Sequence, residues 1–195
     1  MTCLIVPGLH SSDPGHWQSR WEAERGDCSR VELGEWEDPT LILWMAGLGR
    51  AVLRAGGFPV LVAHGLGCLA VAWWASIAGE AAAKITGALL VAPPDAEQDG
   101  AEARLQRFAS VPRRPMPFPT IVVASRDDPH AGYQRSREMA AGWSARLHDA
   151  GEAGHINAAS GLGSWPEGQR LVAELEAGAA SRWQRPLARR AGGRR

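Results

Sequence analysis

Short apolar runs that alternate with helical segments constrain the fold of this chain more than any other feature. The runs contain almost no alternating polar residues, which is typical of parallel strands covered on both faces of a sheet. They predict strands at residues 3–6, 59–63, 87–92 and 120–124, a weaker strand at 146–148 and a short edge strand at 31–33.

Segments with helical spacing lie between these runs. They predict helices over residues 16–24, 40–53, 68–78, 101–108, 133–143 and 166–177. Strand and helix alternate along the chain, and its 195 residues suit one domain. We therefore expect a single α/β domain over residues 1–180, a three-layer sandwich with a mostly parallel central sheet.

Charge is distributed unevenly, although lysine plus arginine and aspartate plus glutamate both total 21. Six arginines and no acid follow residue 181, so the rest of the chain carries about −6 and is a poor nucleic-acid surface. The segment 181–195 could bind RNA, membrane phosphates or an acidic partner. Its proline, its glycines and its lack of periodicity favour a disordered basic tail.

Cysteine usage and the N-terminus bear on location. Cys3, Cys28 and Cys68 are odd in number and have no C-x-x-C spacing, which indicates buried thiols in a reducing compartment rather than a disulfide or zinc framework. The N-terminal apolar run ends at Pro7 and is too short for a signal peptide, and no run is long enough to span a membrane. We expect a cytoplasmic protein with no membrane partner; its oligomeric state is left open.

The stretch L-V-A-H-G-L-G-C-L-A, residues 61–70, is an apolar strand that runs through a tight turn into a helix. Ala63 and Gly67 occupy the flanking positions of a G-x-S-x-G nucleophile elbow, and Gly65 occupies its centre. An ordinary glycine-rich turn remains an alternative. Phosphate binding at the helix start is another, although the full dinucleotide and Walker patterns are absent.

Two later loops favour the elbow. Asp128 and His155 each follow a predicted strand, and they come after Gly65 in the order nucleophile, acid, histidine of an α/β-hydrolase. His155 would then move the proton, while Asp128 would fix the imidazole tautomer. Asp128 as a turn cap and His155 as an incidental loop residue are the alternatives.

Four motifs give the chain a resemblance to a known family, from residue 4 to about residue 175. They are V-P-G-L-H-S-S-D-P-G-H-W-Q-S-R-W-E (6–22), A-H-G-L-G-C (63–68), A-S-R-D-D-P (124–129) and G-H-I-N (154–157). The chain resembles the small serine hydrolases grouped with YdeN and retinoblastoma-binding protein 9, a branch of the α/β-hydrolase superfamily. The resemblance aligns the family's serine with Gly65, and its acid and base with Asp128 and His155.

In such an enzyme, backbone N–H groups stabilise the oxyanion, here those of Leu66 and of a first-loop residue, Leu9. Neither donor needs the missing serine side chain. Cys68 is the nearest other nucleophile, but we expect it to be a buried thiol pointing away from the turn. Water activated by His155 is a further alternative.

Other residues near the predicted site have less specific interpretations. Ser11 and Ser12 could line the pocket, although loop serines are usually solvated or cap helices. Trp17 and Trp165 could line it as well, although most tryptophans should belong to the core. The remaining histidines could approach His155 above the sheet, but they lack ligand spacing for zinc, so we expect no metal and no cofactor; they are His10, His16, His64 and His130.

Two hypotheses follow for the function. The first is a serine-hydrolase family member, acting on small carboxylic esters or amides, whose nucleophile has been replaced by Gly65, either by engineering or in a recent lineage, and which turns over poorly. The second is a non-catalytic relative that binds a small acyl ligand or a partner protein.

Overall fold

The computed structural model describes residues 2–183. Its centre is a six-stranded sheet in the order β2-β1-β3-β4-β5-β6, in which every neighbouring pair is parallel. The strands are β1 (Cys3–Val6), β2 (Cys28–Arg30), β3 (Val60–His64), β4 (Gly87–Val91), β5 (Thr120–Ala124) and β6 (Arg146–Asp149). The helices are α1 (Trp17–Glu24), α2 (Leu41–Arg54), α3 (Leu66–Ile77), α4 (Ala103–Gln106), α5 (Tyr133–Gly142) and α6 (Pro166–Trp183).

Two separate apolar cores cover the two faces of this sheet. Leu61 and Ala63 of β3 belong to the core formed with helices α2 and α3, whereas Val60 and Val62 belong to the core formed with α1 and α6. All residues of β1, β3, β4 and β5 are buried. Because successive strand residues point to opposite faces, strands buried on both sides need apolar residues throughout. The predicted three-layer α/β fold is therefore confirmed.

The edge strand was predicted at the wrong place. It lies at Cys28–Arg30, where it pairs with β1, and not at 31–33. Val31 and Leu33 are buried just beyond it, and the Val31 N–H still donates to the Ile5 carbonyl. Val31 and Leu33 thus lie where the chain enters the core, whereas the pairing with β1 is made by the residues just before them, Cys28–Arg30, which are of mixed polarity.

Helix ends also differ from the prediction. Helix α3 begins at Leu66 rather than at residue 68, and α4 is a single turn of four residues. Helix α6 continues to Trp183 and so includes the first three residues of the segment 181–195 that was assigned to a tail. The rest of that segment lies outside the described residues. None of the described helices combines the length and the apolar composition that a membrane span requires.

Candidate active site

Gly65 forms the turn between β3 and α3, and its backbone has φ +52° and ψ −127°. L-residues rarely adopt this conformation, whereas glycine reaches it without a steric cost from a side chain. The Gly65 N–H donates to the Val91 carbonyl at 2.9 Å, and its own carbonyl accepts from Cys68 N–H at 3.0 Å. These backbone bonds hold the turn in the geometry of a nucleophile elbow without any side chain at its tip.

The first loop passes directly beside this turn. A Cβ on Gly67 would lie 2.4 Å from the Pro7 carbonyl oxygen, and one on Gly8 would lie 3.3 Å from the Leu66 nitrogen. Both glycines therefore allow a close backbone approach between β1 and the start of α3. Leu66 is the first residue of that helix, so its N–H has no acceptor within the helix and can bind an anionic oxygen.

Asp128 and His155 meet beside the turn. Nδ1 of His155 lies 3.0 Å from both carboxylate oxygens of Asp128, whose side chain is only 3% exposed. A carboxylate accepts hydrogen bonds, so Nδ1 is the donor to Asp128, and in the neutral imidazole Nε2 is then the acceptor. That Nε2 lies 3.4 Å from the position that a Cβ on Gly65 would occupy. The structure thus brings the three predicted residues together, with His155 between Asp128 and Gly65.

A second aspartate fixes the two loops that carry this pair. Oδ1 of Asp127 accepts from the Gly154 N–H at 2.8 Å and from the Ser125 hydroxyl at 2.6 Å. The Ser125 hydroxyl oxygen in turn accepts from the Ala153 N–H at 2.8 Å. These hydrogen bonds lower the pKa of Asp127. The sequence interpretation missed this role, for which the adjacent aspartates of S-R-D-D were the available signal.

Three further histidines surround His155. Nε2 of His64 lies 2.9 Å from the His155 carbonyl oxygen and therefore donates to it. The ring centroid of His130 lies 4.4 Å from that of His155, and the centroid of His16 lies 4.6 Å from that of His64. Burial lowers the pKa of His64 and of His130, and it lowers the pKa of His16 to about 4. These neighbours are therefore neutral at pH 7 and do not add positive charge beside His155.

His10 is separate from this cluster and pairs with Glu37 at 2.5 Å. Within residues 2–183, no group of three or more His, Cys, Asp or Glu side chains is arranged to hold a metal ion. Within the cluster, His64 donates to the His155 carbonyl and His16 Nδ1 accepts from the Gln18 N–H, whereas the buried Nε2 of His16 has no hydrogen-bond partner in the part of the chain that the structure describes.

A cavity of about 470 Å³ opens above the turn. The two predicted oxyanion residues, Leu9 and Leu66, line this cavity. Gly65 and His155 line it as well, so all four residues face the same space. Ser11 also lines it. Ser12 does not; its hydroxyl donates to Gln18 at 2.7 Å below the loop.

Two other expectations about side chains have clear outcomes. Trp17 and Trp165 do not line the cavity but pack against each other in the core, with ring centroids 4.8 Å apart. Trp17 Nε1 donates to the Ile156 carbonyl at 2.8 Å, so its one polar atom is satisfied internally. Cys68 is fully buried, its Sγ donates to the Val91 carbonyl, and burial raises the pKa of its thiol. The structure therefore places Cys68 under the turn, where it cannot replace a nucleophile at its tip.

This parallel sheet, with a turn of positive φ after a central strand and a histidine–carboxylate pair beyond two later strands, has the arrangement of the α/β-hydrolase fold. Comparison with known proteins specifies the family. A model of the serine hydrolase family matches residues 3–174, and the chain belongs to that family.

Solved structures agree with this assignment. A YdeN-like hydrolase from Pectobacterium atrosepticum is 32% identical, with 91% of each chain covered and a TM-score of 0.80. The ydeN gene product of Bacillus subtilis is 19% identical, with 90% of this chain and 98% of that chain covered and a TM-score of 0.69. Est1E from Butyrivibrio proteoclasticus, solved with ferulic acid, is 12% identical over 94% of this chain and 90% of that one, with a TM-score of 0.63. The curated proteins include no match to the chain.

Proposed function

We propose that this protein has the active site of a carboxylic ester or amide hydrolase in which Gly65 stands where the nucleophilic serine belongs. Asp128 is the acid, His155 is the base, and the N–H groups of Leu9 and Leu66 form the oxyanion hole. One observation supports this most strongly. The Cβ position of Gly65 lies 3.4 Å from Nε2 of His155, so a hydroxyl one bond further out would come within hydrogen-bonding reach of the base.

The chemistry with a serine at this position would follow directly from the geometry. His155 Nε2 would accept the hydroxyl proton while the oxygen attacks the substrate carbonyl, and Asp128 would stabilise the resulting imidazolium. His155 would then return the proton to the leaving group, and a water would release the acyl group by the reverse sequence. This mechanism requires no metal and no cofactor.

With glycine at residue 65, no acyl-enzyme can form. Only a water activated by His155 could attack a bound ester, and binding together with the oxyanion hole would supply the remaining rate enhancement. Hydrolases that lack their triad residues retain about 10³–10⁴-fold catalysis over water. We therefore propose that the natural chain is strongly impaired in turnover.

Charge in the cavity indicates the class of substrate. Asp13 and Glu102 contribute carboxylates to the lining, which has no lysine or arginine among the residues that the structure describes. Glu102 is paired with Arg104 in a salt bridge, so Asp13 is the carboxylate that disfavours anionic substrates, and we propose small uncharged esters or amides.

The test is to install the serine. Gly65→Ser should react with a fluorophosphonate probe and hydrolyse p-nitrophenyl butyrate, whereas the natural protein should not be labelled. Gly65→Ala is the matched control, because it carries the same Cβ and the same backbone strain without a hydroxyl. Adding Asp128→Asn to the serine form should lower kcat by about 10⁴.

A folded Gly65→Ser protein that neither reacts with the probe nor hydrolyses the ester would overturn this proposal. The intact cavity around Gly65 would then favour the second candidate, a non-catalytic relative that binds a small acyl ligand. Retention of butyramide, an uncharged acyl compound, by the protein with Gly65 in equilibrium dialysis would support that alternative.

A further inference from the structure

Cys3 and Cys28 are the first residues of the adjacent strands β1 and β2. The register of the ladder pairs Cys3 directly with Cys28. Neighbouring strands lie about 4.7–4.9 Å apart, and disulfides join residues whose Cα atoms are about 4.4–6.8 Å apart. The backbone separation of this pair is therefore within the range that a disulfide requires.

Both side chains also point to the same face of the sheet. Cys3 and Cys28 belong to the core formed with α1 and α6, while Leu4, the residue after Cys3, belongs to the opposite core. Cys3 is 1% exposed and Cys28 is 9% exposed. Because β2 is an edge strand of only three residues, small displacements of Cys28 break few contacts.

The surroundings of the two thiols favour Cys28 as the attacking nucleophile and Cys3 as the second thiol. The pKa of Cys28 is lowered, chiefly by the facing Cys3 thiol and also by the positive charge of Arg25. The pKa of Cys3 is raised by the same interaction and by burial. Arg25 is held in place by a salt bridge to Asp27 at 3.0 Å. Cys28 is also the more exposed of the two thiols and is therefore the one that a dissolved oxidant reaches first.

We propose that Cys3 and Cys28 are a reversible oxidation site that forms an intramolecular disulfide on reaction with a small disulfide such as oxidised glutathione. The Cys28 thiolate attacks one sulfur of the oxidant and releases one glutathione as a thiolate. The Cys3 sulfur, losing its proton, then attacks Cys28 Sγ and releases the second glutathione. The two protein thiols are oxidised by two electrons, and one oxidised glutathione is reduced to two thiols.

The bond would close a ring of the chain that contains much of the cavity wall. Residues 3–28 include helix α1 and the first loop, which contributes Leu9, Ser11 and His16 to the cavity. Linking β1 to β2 would restrain this loop without changing any group at Gly65. The proposal is independent of the hydrolase chemistry proposed above, because it concerns thiols that do not line the cavity.

The test is to incubate the natural protein with oxidised glutathione, block remaining thiols with N-ethylmaleimide and digest under non-reducing conditions. We expect the thiol count to fall from three to one, the mass to fall by two hydrogen atoms, and tryptic peptides 1–20 and 26–30 to be joined. Dithiothreitol should reverse each change. The Tm of the oxidised form should rise by about 5–10 °C, since a ring of this length constrains the unfolded chain.

Cys68→Ser is the matched control, because Cys68 is equally buried but faces the other core. The Cys68→Ser protein should still form the Cys3–Cys28 disulfide and end with no free thiol. The Cys28→Ser protein should keep both of its remaining thiols. Three free thiols in the oxidant-treated natural protein, a stable glutathione adduct on one cysteine, or a link that includes Cys68 would each refute the proposal.

Discussion

Replacing Gly65 by alanine tests the strained turn on which the candidate site depends. The backbone at Gly65 has φ +52° and ψ −127°, a conformation that costs an L-residue on the order of 1–3 kcal/mol. Sterics add little, because the nearest atom to a Cβ there is His155 Nε2 at 3.4 Å. The lower entropy of the unfolded alanine chain offsets about 0.4–1 kcal/mol. We expect the free energy of unfolding to fall by about 0.5–2 kcal/mol.

The assay is urea denaturation monitored by tryptophan fluorescence, with a thermal scan beside it. For a chain of this size, such a loss lowers the Tm by about 1–8 °C. Gly56→Ala is the control, since Gly56 lacks a positive φ and a Cβ there meets nothing within 4 Å. The control should be stabilised by about 0.4–1 kcal/mol. Equal stabilisation of both variants would refute the strained geometry at Gly65.

Three further predictions concern the neighbours of this turn. Gly67→Ala should lower the free energy of unfolding by more than about 4 kcal/mol or prevent folding, because its Cβ would lie 2.4 Å from the Pro7 carbonyl oxygen. Soluble yield and urea denaturation would measure this effect. Acid should destabilise the protein between pH 6.5 and 4, because burial holds the pKa of His16 at about 4 and the unfolded chain binds a proton that the folded chain does not. His16 should contribute about 3 kcal/mol of this loss below pH 4, in addition to the contributions of His64 and His130, whose pKa values burial also lowers. His16→Asn, which keeps an acceptor for the start of α1, should be less sensitive to pH in urea denaturation. His64→Phe in the serine form should slow fluorophosphonate labelling about tenfold by freeing the His155 carbonyl, whereas His64→Gln should keep most of the rate by retaining a donor.

Apolar patterning predicted most of the sheet because buried parallel strands must be apolar on both faces. The four apolar strands were found to within one residue, as the structure shows for Thr120–Ala124. The edge strand was misplaced, because Cys28–Arg30 is half exposed and its pairing depends on tertiary position rather than on composition. The start of α3 was predicted two residues late, since glycine and leucine at the turn carry no ordinary capping signal.

The sequence predicted the candidate site less evenly than the sheet. The order of Gly65, Asp128 and His155 was informative because the topology of a parallel sheet brings successive strand ends to one edge. The order of residues along the chain does not predict whether a side chain near these strand ends points into the cavity or into the core. Trp17 lies within a few residues of the cavity loop yet points into the core, because its indole N–H has an acceptor there at Ile156. The supporting role of Asp127 depends on two loops that meet only in the folded chain.

The turn at Gly65 and the His155–Asp128 pair are both held in place without a side chain at residue 65. The turn is held by backbone hydrogen bonds from Gly65 to Val91 and from Cys68 to Gly65, and by the close approach that Gly67 permits. None of these contacts uses a side chain at residue 65. The His155–Asp128 pair is likewise held by its own loops and by the His64 donor. A serine at residue 65 would therefore add strain and a hydroxyl within reach of His155 while removing no contact. Under the proposed function, Gly65→Ser should thus add activity and lower stability in one substitution.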